Sequence, residues 1–274
     1  MTDYKHCVRL IVLCGLLGCP AALAKEVSAP QTNTAPAPVL DPEFVAMRQA
    51  AFEARKSGEL FKARSKLHEI LEKFPKESAT EEVRREFWNT NLAIISSPIP
   101  SRGTQYYTIA PGDTLGKIVR KFGTTLELTK RRNHMESDAI MPGHKLSVWT
   151  IPFTIHIDKS DNTLTLKAGE EIVKVYPVST GKDNSSPIGK FIIKDRFENP
   201  VWFHKGEVVP ANDPKNLLGT RWLGFDLPKY GIHGTLYPDM IGQQVSSGCI
   251  RMRNEDVQEL YDYIAVGTAV TIED

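Results

Sequence analysis

Cysteine is scarce in this chain and unevenly placed. Of four cysteines in 274 residues, Cys7, Cys14 and Cys19 precede residue 25 and only Cys249 follows. A disulfide scaffold needs pairs, so no framework of that kind holds the chain beyond residue 25. Charge of one sign is also lacking. The formal net charge is +1 and the basic residues are scattered, which leaves no field to attract nucleic acid or an anionic membrane surface. Long apolar runs are missing too: the stretch Leu10 to Leu17 is too short to cross a bilayer, and no later segment is longer. No second Cys or His pair lies at ligand spacing, which disfavours structural zinc. Ser179-Thr180-Gly181-Lys182 shares only the end of a phosphate loop, because Tyr176 and Asp183 stand where that motif needs Gly and Ser or Thr. No cofactor or metal is expected.

What is present begins with an export pattern. Lys5, His6 and Arg9 precede the apolar run, and small residues ending in Ala22-Leu23-Ala24 follow it. That order describes a secretory signal peptide over residues 1–24. Leu16-Leu17-Gly18-Cys19 offers a competing reading, lipidation at Cys19, against which Pro20 speaks. Residues 25–42 are rich in Ala, Pro, Thr and Ser and cannot bury enough surface to offset ordering, so they read as a flexible linker. With 41% hydrophobic and 24% charged residues, the rest is ordinary globular sequence with room for more than one domain.

From 43 to 97 apolar residues recur at helical spacing, as in Leu60, Ala63, Leu67, Ile70, Leu71 and Phe74. Ala51, Ala54, Gly58, Ala63, Leu67 and Pro75 resemble one tetratricopeptide repeat, with a third helix from Glu81 to Ile95 as its cap. A helical spacer is the competing reading. Ser96 to Arg102 reads as a linker. Residues 105–150 then predict strand, helix, helix, strand, with Asp113 or Thr114 capping the first helix of that stretch. From Phe153 the pattern alternates: 153–157, 163–166, 172–176 and 191–193 read as strands of an antiparallel meander or sandwich. Asn199 to Tyr230 is long for a connection and reads as a functional insertion or lid. Asn254 is placed as the cap of a helix from Glu255 to about Ile264, before a last strand at 269–272.

A lone thiol in an exported chain needs a reason, and chemistry supplies one. Cys249 lies in Ser246-Ser247-Gly248-Cys249-Ile250-Arg251-Met252, sixteen positions after His233 in Gly231-Ile232-His233-Gly234-Thr235. An imidazole can draw the proton from a thiol. Gly234 and Gly248 let backbone approach a substrate closely, and the amides of Gly248 and Cys249 could receive charge developing on a carbonyl oxygen. A buried structural cysteine is the competing reading.

The surrounding motifs carry two resemblances. Tyr106-Tyr107-Thr108-Ile109-Ala110-Pro111-Gly112-Asp113-Thr114-Leu115, Lys121-Phe122-Gly123-Thr124-Thr125, Asn133 and Ile140-Met141-Pro142-Gly143-His144-Lys145-Leu146 fall in the order seen in LysM domains. That resemblance implies binding of N-acetylglucosamine-containing glycans through Gly112, Asp113, Thr114 and Leu115 and through Ile140, Pro142 and Gly143. Residues 152–273 resemble the L,D-transpeptidase (YkuD-like) catalytic domain in Tyr176-Pro177-Val178-Ser179-Thr180-Gly181-Lys182, Ser186-Pro187-Ile188-Gly189-Lys190-Phe191, Asn199-Pro200-Val201-Trp202, Leu218-Gly219-Thr220-Arg221-Trp222-Leu223, Tyr230 to Thr235 and Ser247 to Met252. Ser247 departs from the pattern, because many members carry a second His there.

The expected architecture is therefore a multidomain α+β chain: an N-terminal helical spacer, a βααβ LysM module and a mostly-β, sandwich-like catalytic domain. The resemblance implies that His233 deprotonates Cys249, that the Gly234 carbonyl orients the imidazole, and that Gly248 and Arg251 help organise the site. Ser247, Arg221, Trp222 and Tyr230 are expected along the stem-peptide groove. The implied partner is peptidoglycan in the periplasm or cell wall, carbapenems are implied inhibitors, and the implied product is a cross-link. Water as acceptor would give an L,D-carboxypeptidase instead, and loss of catalysis a wall-binding protein.

Overall fold

A computed structural model describes residues 40–77, 79–204 and 206–274. The expected signal peptide, the Cys19 anchor and nearly all of the 25–42 linker lie outside the described residues. Helix α1 (Pro42–Lys56) starts on Asp41, whose carboxylate accepts from the Glu43 and Phe44 amides at 2.7 and 3.4 Å. Gly58, at φ +79°, turns the chain into α2 (Leu60–Lys73). Ala51, Ala54 and Ala63 are buried where the two helices meet, around a core of Phe44, Leu67, Ile70 and Val83. Helix α3 (Thr80–Ser96) serves two cores. Its Val83 joins α1 and α2, whereas Leu92 and Ile95 belong to the core that follows. The expected spacer is thus packed on the rest of the molecule.

Strand β1 (Thr104–Thr108), α4 (Leu115–Phe122), α5 (Leu126–Arg132) and β2 (Lys145–Trp149) follow in the expected order. The Thr114 and Thr125 hydroxyls cap the two helices, accepting from Lys117 at 3.3 Å and Leu128 at 3.1 Å. β1 and β2 pair antiparallel from Thr104↔Trp149 to Thr108↔Lys145, over a core of Ile109, Leu115, Ile118, Val119, Leu146 and Val148. Asn133 ties α5 to β2, exchanging two hydrogen bonds of 2.8 Å with the Ser147 backbone. The fully buried Arg132 donates to the Ile95 carbonyl of α3, to Thr104 Oγ1 at 2.9 Å and to Ser147 Oγ at 3.0 Å.

The remaining chain builds a mixed sheet. Its elements are β3 (Phe153–Asp158), β4 (Thr163–Ala168), β5 (Glu171–Pro177), β6 (Thr180–Gly181), β7 (Gly189–Glu198), β8 (Trp202–His204), β9 (Glu207–Val209), β10 (Arg221–Phe225), β11 (Gly231–His233), β12 (Gln244–Ser246), β13 (Ile250–Arg251), α6 (Asn254–Tyr261) and β14 (Ala269–Glu273). Eight strands run in the order β13-β11-β10-β7-β14-β3-β4-β5, with β12-β6 and β8-β9 as small pairs beside them. β7 joins the two halves: residues 189–192 pair with β14 and 193–198 with β10. Alternation buries Phe153, Ile155 and Ile157 on one face of β3.

Three expectations change. β14 pairs parallel with β3, and β13 parallel with β11, so only β3-β4-β5 is a true antiparallel meander. The 199–230 insertion is shorter than expected, because β10 is a central strand and only the β8-β9 hairpin and its return to 220 leave the sheet. Asn216 anchors that return on the Pro200 and Pro210 carbonyls at 2.9 and 3.0 Å. Asn254 is not a cap: it is the first residue of α6, with Arg253 at the cap position and no side-chain cap present. Edge strand β5 is covered, since Asn91 of α3 donates to the Val173 carbonyl at 3.0 Å. A cavity of about 310 Å³ opens at this junction, lined by Phe61, Asn91, Arg102, Trp149 and Ile172 among others; none of its lining residues is a site candidate.

Candidate active site

Parallel pairing of two short strands assembles the site. His233 is opposite Arg251 and Ile232 opposite Ile250. Both isoleucines are fully buried, so alternation turns His233 and Arg251 to the other face. Cys249 enters one residue ahead of β13. Its half-buried thiol donates to the Lys229 carbonyl at 3.3 Å, not to the imidazole. Lys229 has φ +73°, a strained value for a residue with a Cβ.

The backbone around Cys249 is held by two serines. Ser246 Oγ donates to the Cys249 carbonyl at 2.6 Å and accepts from the Gly248 amide at 3.0 Å. Ser186 Oγ donates to the Gly248 carbonyl at 2.9 Å and accepts from the Gly181 amide at 2.8 Å. Gly248 has φ +121°, and a Cβ there would come within 2.7 Å of the Tyr230 ring. The expected oxyanion pair is therefore corrected: Ser246 occupies the Gly248 amide, while the Cys249 amide has no partner among the described residues.

His233 is 5% exposed. Its Nδ1 lies 2.6 Å from the Gly234 carbonyl, which makes Nδ1 the protonated nitrogen of the neutral ring and leaves Nε2 as acceptor. Trp222, its cross-strand partner, stacks on it with centroids 5.8 Å apart and planes at 23°. Burial lowers the imidazole pKa from 6.5 to about 4; the Arg251 charge adds to this, and the backbones of Gly234 and Leu218 oppose it. Burial also raises the thiol above 9.0, against the Gly231 backbone and Arg251. Both shifts favour the neutral pair. A resting thiolate is not what this environment stabilises.

Of the expected residues, the fold brings together Cys249, His233, Gly234, Gly248, Arg251, Trp222 and Tyr230. Trp222 packs on the imidazole and Tyr230 over Gly248, so both shape the candidate catalytic residues themselves. Arg221 is elsewhere: next to Trp222 on β10, it points to the opposite face, 5.2 Å from the Tyr261 ring and 3.6 Å from Glu198. Ser247 is exposed. Sequence reasoning missed Ser246, Ser186 and Asn254. The serines stood inside quoted motifs, but their hydrogen bonds join segments far apart in sequence.

Residues 152–272 match the family model described as the L,D-transpeptidase catalytic domain, and residues 107–149 match that of the LysM domain. YkuD of Bacillus licheniformis, assigned to the L,D-transpeptidases, is 35% identical over 175 residues, covering 61% of this chain and 97% of that one. This chain belongs to the L,D-transpeptidase family. YbiS of Escherichia coli K12, assigned to the same class, is 45% identical over 216 residues, 66% of this chain and 69% of YbiS. The solved L,D-transpeptidase from Mycobacterium smegmatis aligns with TM-score 0.40 and 21% identity over 48% of this chain and 64% of that one.

In this L,D-transpeptidase the two LysM loops meet at one end of the β1-β2 pair. The Ile109 amide donates to the His144 carbonyl at 2.9 Å and the Gly143 amide to the Ile109 carbonyl at 2.8 Å. Gly112, Thr114, Pro142 and Gly143 are exposed there and Ile140 is half-buried. Two candidates are corrected. Leu115 is 1% exposed and belongs to the module's core. Asp113 does not cap α4 but closes the turn, accepting from Tyr107 Oη at 2.8 Å and the Ala110 amide at 2.9 Å. Those two bonds, the Ala110 amide first, lower its pKa.

Proposed function

We propose that the chain is an exported cysteine L,D-transpeptidase that acts on peptidoglycan tetrapeptide stems through a Cys249 thioester. The observation that carries this reading is the buried neutral imidazole, held by its Nδ1 on Gly234, on a strand that pairs with the one carrying Arg251, directly after the one thiol among the described residues. Rotation of the thiol from the Lys229 carbonyl toward Nε2 lets His233 take its proton as sulfur attacks the carbonyl between diaminopimelate and D-alanine. The Cys249 amide receives the developing oxyanion. The S–C bond forms, the C–N bond to D-alanine breaks, and His233 returns the proton to the leaving amine. An amine of an acceptor stem or of a wall-anchored protein then attacks the thioester and frees the sulfur. Arg251, beside His233 in the register, supplies positive charge for a substrate carboxylate.

The N-terminal pattern supports export to the periplasm or cell wall, by cleavage after Ala24 or lipidation at Cys19. Among the described residues no helix is long and apolar enough to cross a membrane. The exposed residues of the two LysM loops are proposed to hold glycan strands.

Intact mass after incubation with a carbapenem, and separately with a tetrapeptide muropeptide, tests the reading. Wild type gains a covalent adduct and Cys249→Ala does not. Absence of any adduct on wild type would leave a non-catalytic wall-binding protein. Product masses separate the acceptors: a dimer reports cross-linking and a tripeptide reports hydrolysis.

A further inference from the structure

Asn254 joins the two backbone segments between which the catalytic imidazole sits. Its Nδ2 donates to the Thr235 carbonyl at 2.9 Å and its Oδ1 accepts from the Thr220 amide at 3.2 Å. The first bond holds the residue directly after Gly234, whose carbonyl takes the His233 Nδ1 proton. The second holds the 218–220 segment, and the Leu218 backbone also bears on the imidazole. One amide side chain at the start of α6 thus spans both walls of the histidine slot.

The glycines of the slot fit the same geometry. A Cβ on Gly234 would stand 2.1 Å from Asn254 Oδ1, and a Cβ on Gly219 2.3 Å from the same atom. Gly219 also has φ +65°. Real Cβ contacts do not reach such distances, so Gly234 and Gly219 lack side chains to admit the Asn254 amide, in addition to any approach of substrate. Two of the chain's quoted motifs, Leu218-Gly219-Thr220 and His233-Gly234-Thr235, converge on this one side chain, which follows the cysteine motif Ser247 to Met252 by two residues. Neither an acid nor an aliphatic residue replaces it, because the slot needs a donor toward Thr235 and an acceptor toward Thr220 within the space of one amide.

We infer that Asn254 is a positioning residue for the transpeptidase reaction: it fixes the Gly234 carbonyl and the 218–220 backbone against His233 and so aims Nε2 at Cys249. This rests on the proposed catalytic roles of His233 and Cys249. Displacement of a catalytic group by about 1 Å can cost on the order of 100-fold in rate. Asn254→Asp keeps the volume but loses the donor to Thr235, and Asn254→Ala loses both bonds.

The test uses the full chain. Carbapenem acylation followed by intact mass is expected to show the maximal rate reduced about 10- to 100-fold in both variants, with the half-saturating concentration within about threefold of wild type. NMR titration of histidine-labelled protein is expected to show the His233 pKa rising toward 6.5, because a loosened slot admits water to the ring. Variants with wild-type rate and wild-type His233 titration would overturn the inference. So would an unchanged titration beside a reduced rate, which would assign Asn254 to something other than the imidazole. If Asn254→Asp fails to fold by circular dichroism, Asn254→Ala and Asn254→Ser carry the same two readouts; a foldless outcome for all three would make Asn254 a stability residue and also overturn the inference. Wild type that forms no adduct, with the titration shift still seen in the variants, would sink the proposed function and leave the clamp standing.

Discussion

In the proposed reaction a thiol with a raised pKa and an imidazole lowered to about 4 exchange their proton only when a substrate carbonyl arrives. The sign for catalysis follows from which form works: with neutral His233 as the proposed base, activity is expected to be lost as pH falls through about 4 and to be flat through neutrality. Carbapenem acylation rates measured by mass from pH 3 to 8 are expected to show that acid limb; a limb near 6.5 would mean the ring is solvated. Iodoacetamide, which reacts with thiolate, is expected to alkylate Cys249 ever faster up to and beyond pH 9, and a plateau between pH 5 and 8 would show a resting ion pair instead. Trp222→Leu removes the stacked ring, a contact worth roughly 0.5–1.5 kcal/mol in such pairs. A fall in maximal acylation rate of about 2- to 10-fold is expected, with little change in half-saturation. At this scale Cys249 and His233 were legible from composition and motif, because a lone thiol is conspicuous. Asn254 was misread as a helix cap, because Asn before an acidic first turn satisfies the local rule while its real partners, Thr220 and Thr235, are distant in sequence.

Among the elements, α3 shows how a locally legible helix acquires an unforeseen task. Its period announced an apolar face, and that face closes over β5, where Asn91 supplies the donor that the edge carbonyl of Val173 lacks. Asn91→Ala leaves that carbonyl unpaired under the helix, a loss of about 1–3 kcal/mol. The denaturant midpoint is expected to fall correspondingly with unchanged slope; an unchanged midpoint would mean water replaces the amide. Strands β3, β4 and β5 were readable because alternation and turn residues are local signals. The parallel partners of β11 and β3 were not, since parallel pairing joins residues across a long crossover and leaves no mark in either strand alone.

At the scale of the molecule, three segments that read as separate modules share one core. Leu92 and Ile95 from α3 and Leu128 from α5 lie in the same cluster as Ile155, Leu223 and Val270 of the sheet. Arg131 pairs with Asp262 and donates to Tyr263 Oη at 3.3 Å, and the Thr125 hydroxyl donates to the Asp262 carbonyl. The LysM module is therefore seated on the catalytic domain. Far-ultraviolet circular dichroism and tryptophan fluorescence are expected to report one coincident unfolding transition. Arg132→Ala, which deprives Ile95, Thr104 and Ser147 of a charged donor, is expected to lower stability by about 1.5–3 kcal/mol; two separated transitions in wild type would contradict the shared core. The amino-acid sequence by itself determined the modules, their order and the family, and it pointed to the proposed nucleophile with its proposed base, because periodicity, turn chemistry and motifs are written within short windows. Tertiary structure alone decided that both partners are held neutral, that Ser246 rather than substrate occupies the Gly248 amide, that Arg221 turns away, and that the modules are fused. Each of these depends on burial and on hydrogen bonds between residues that meet only after the chain has folded.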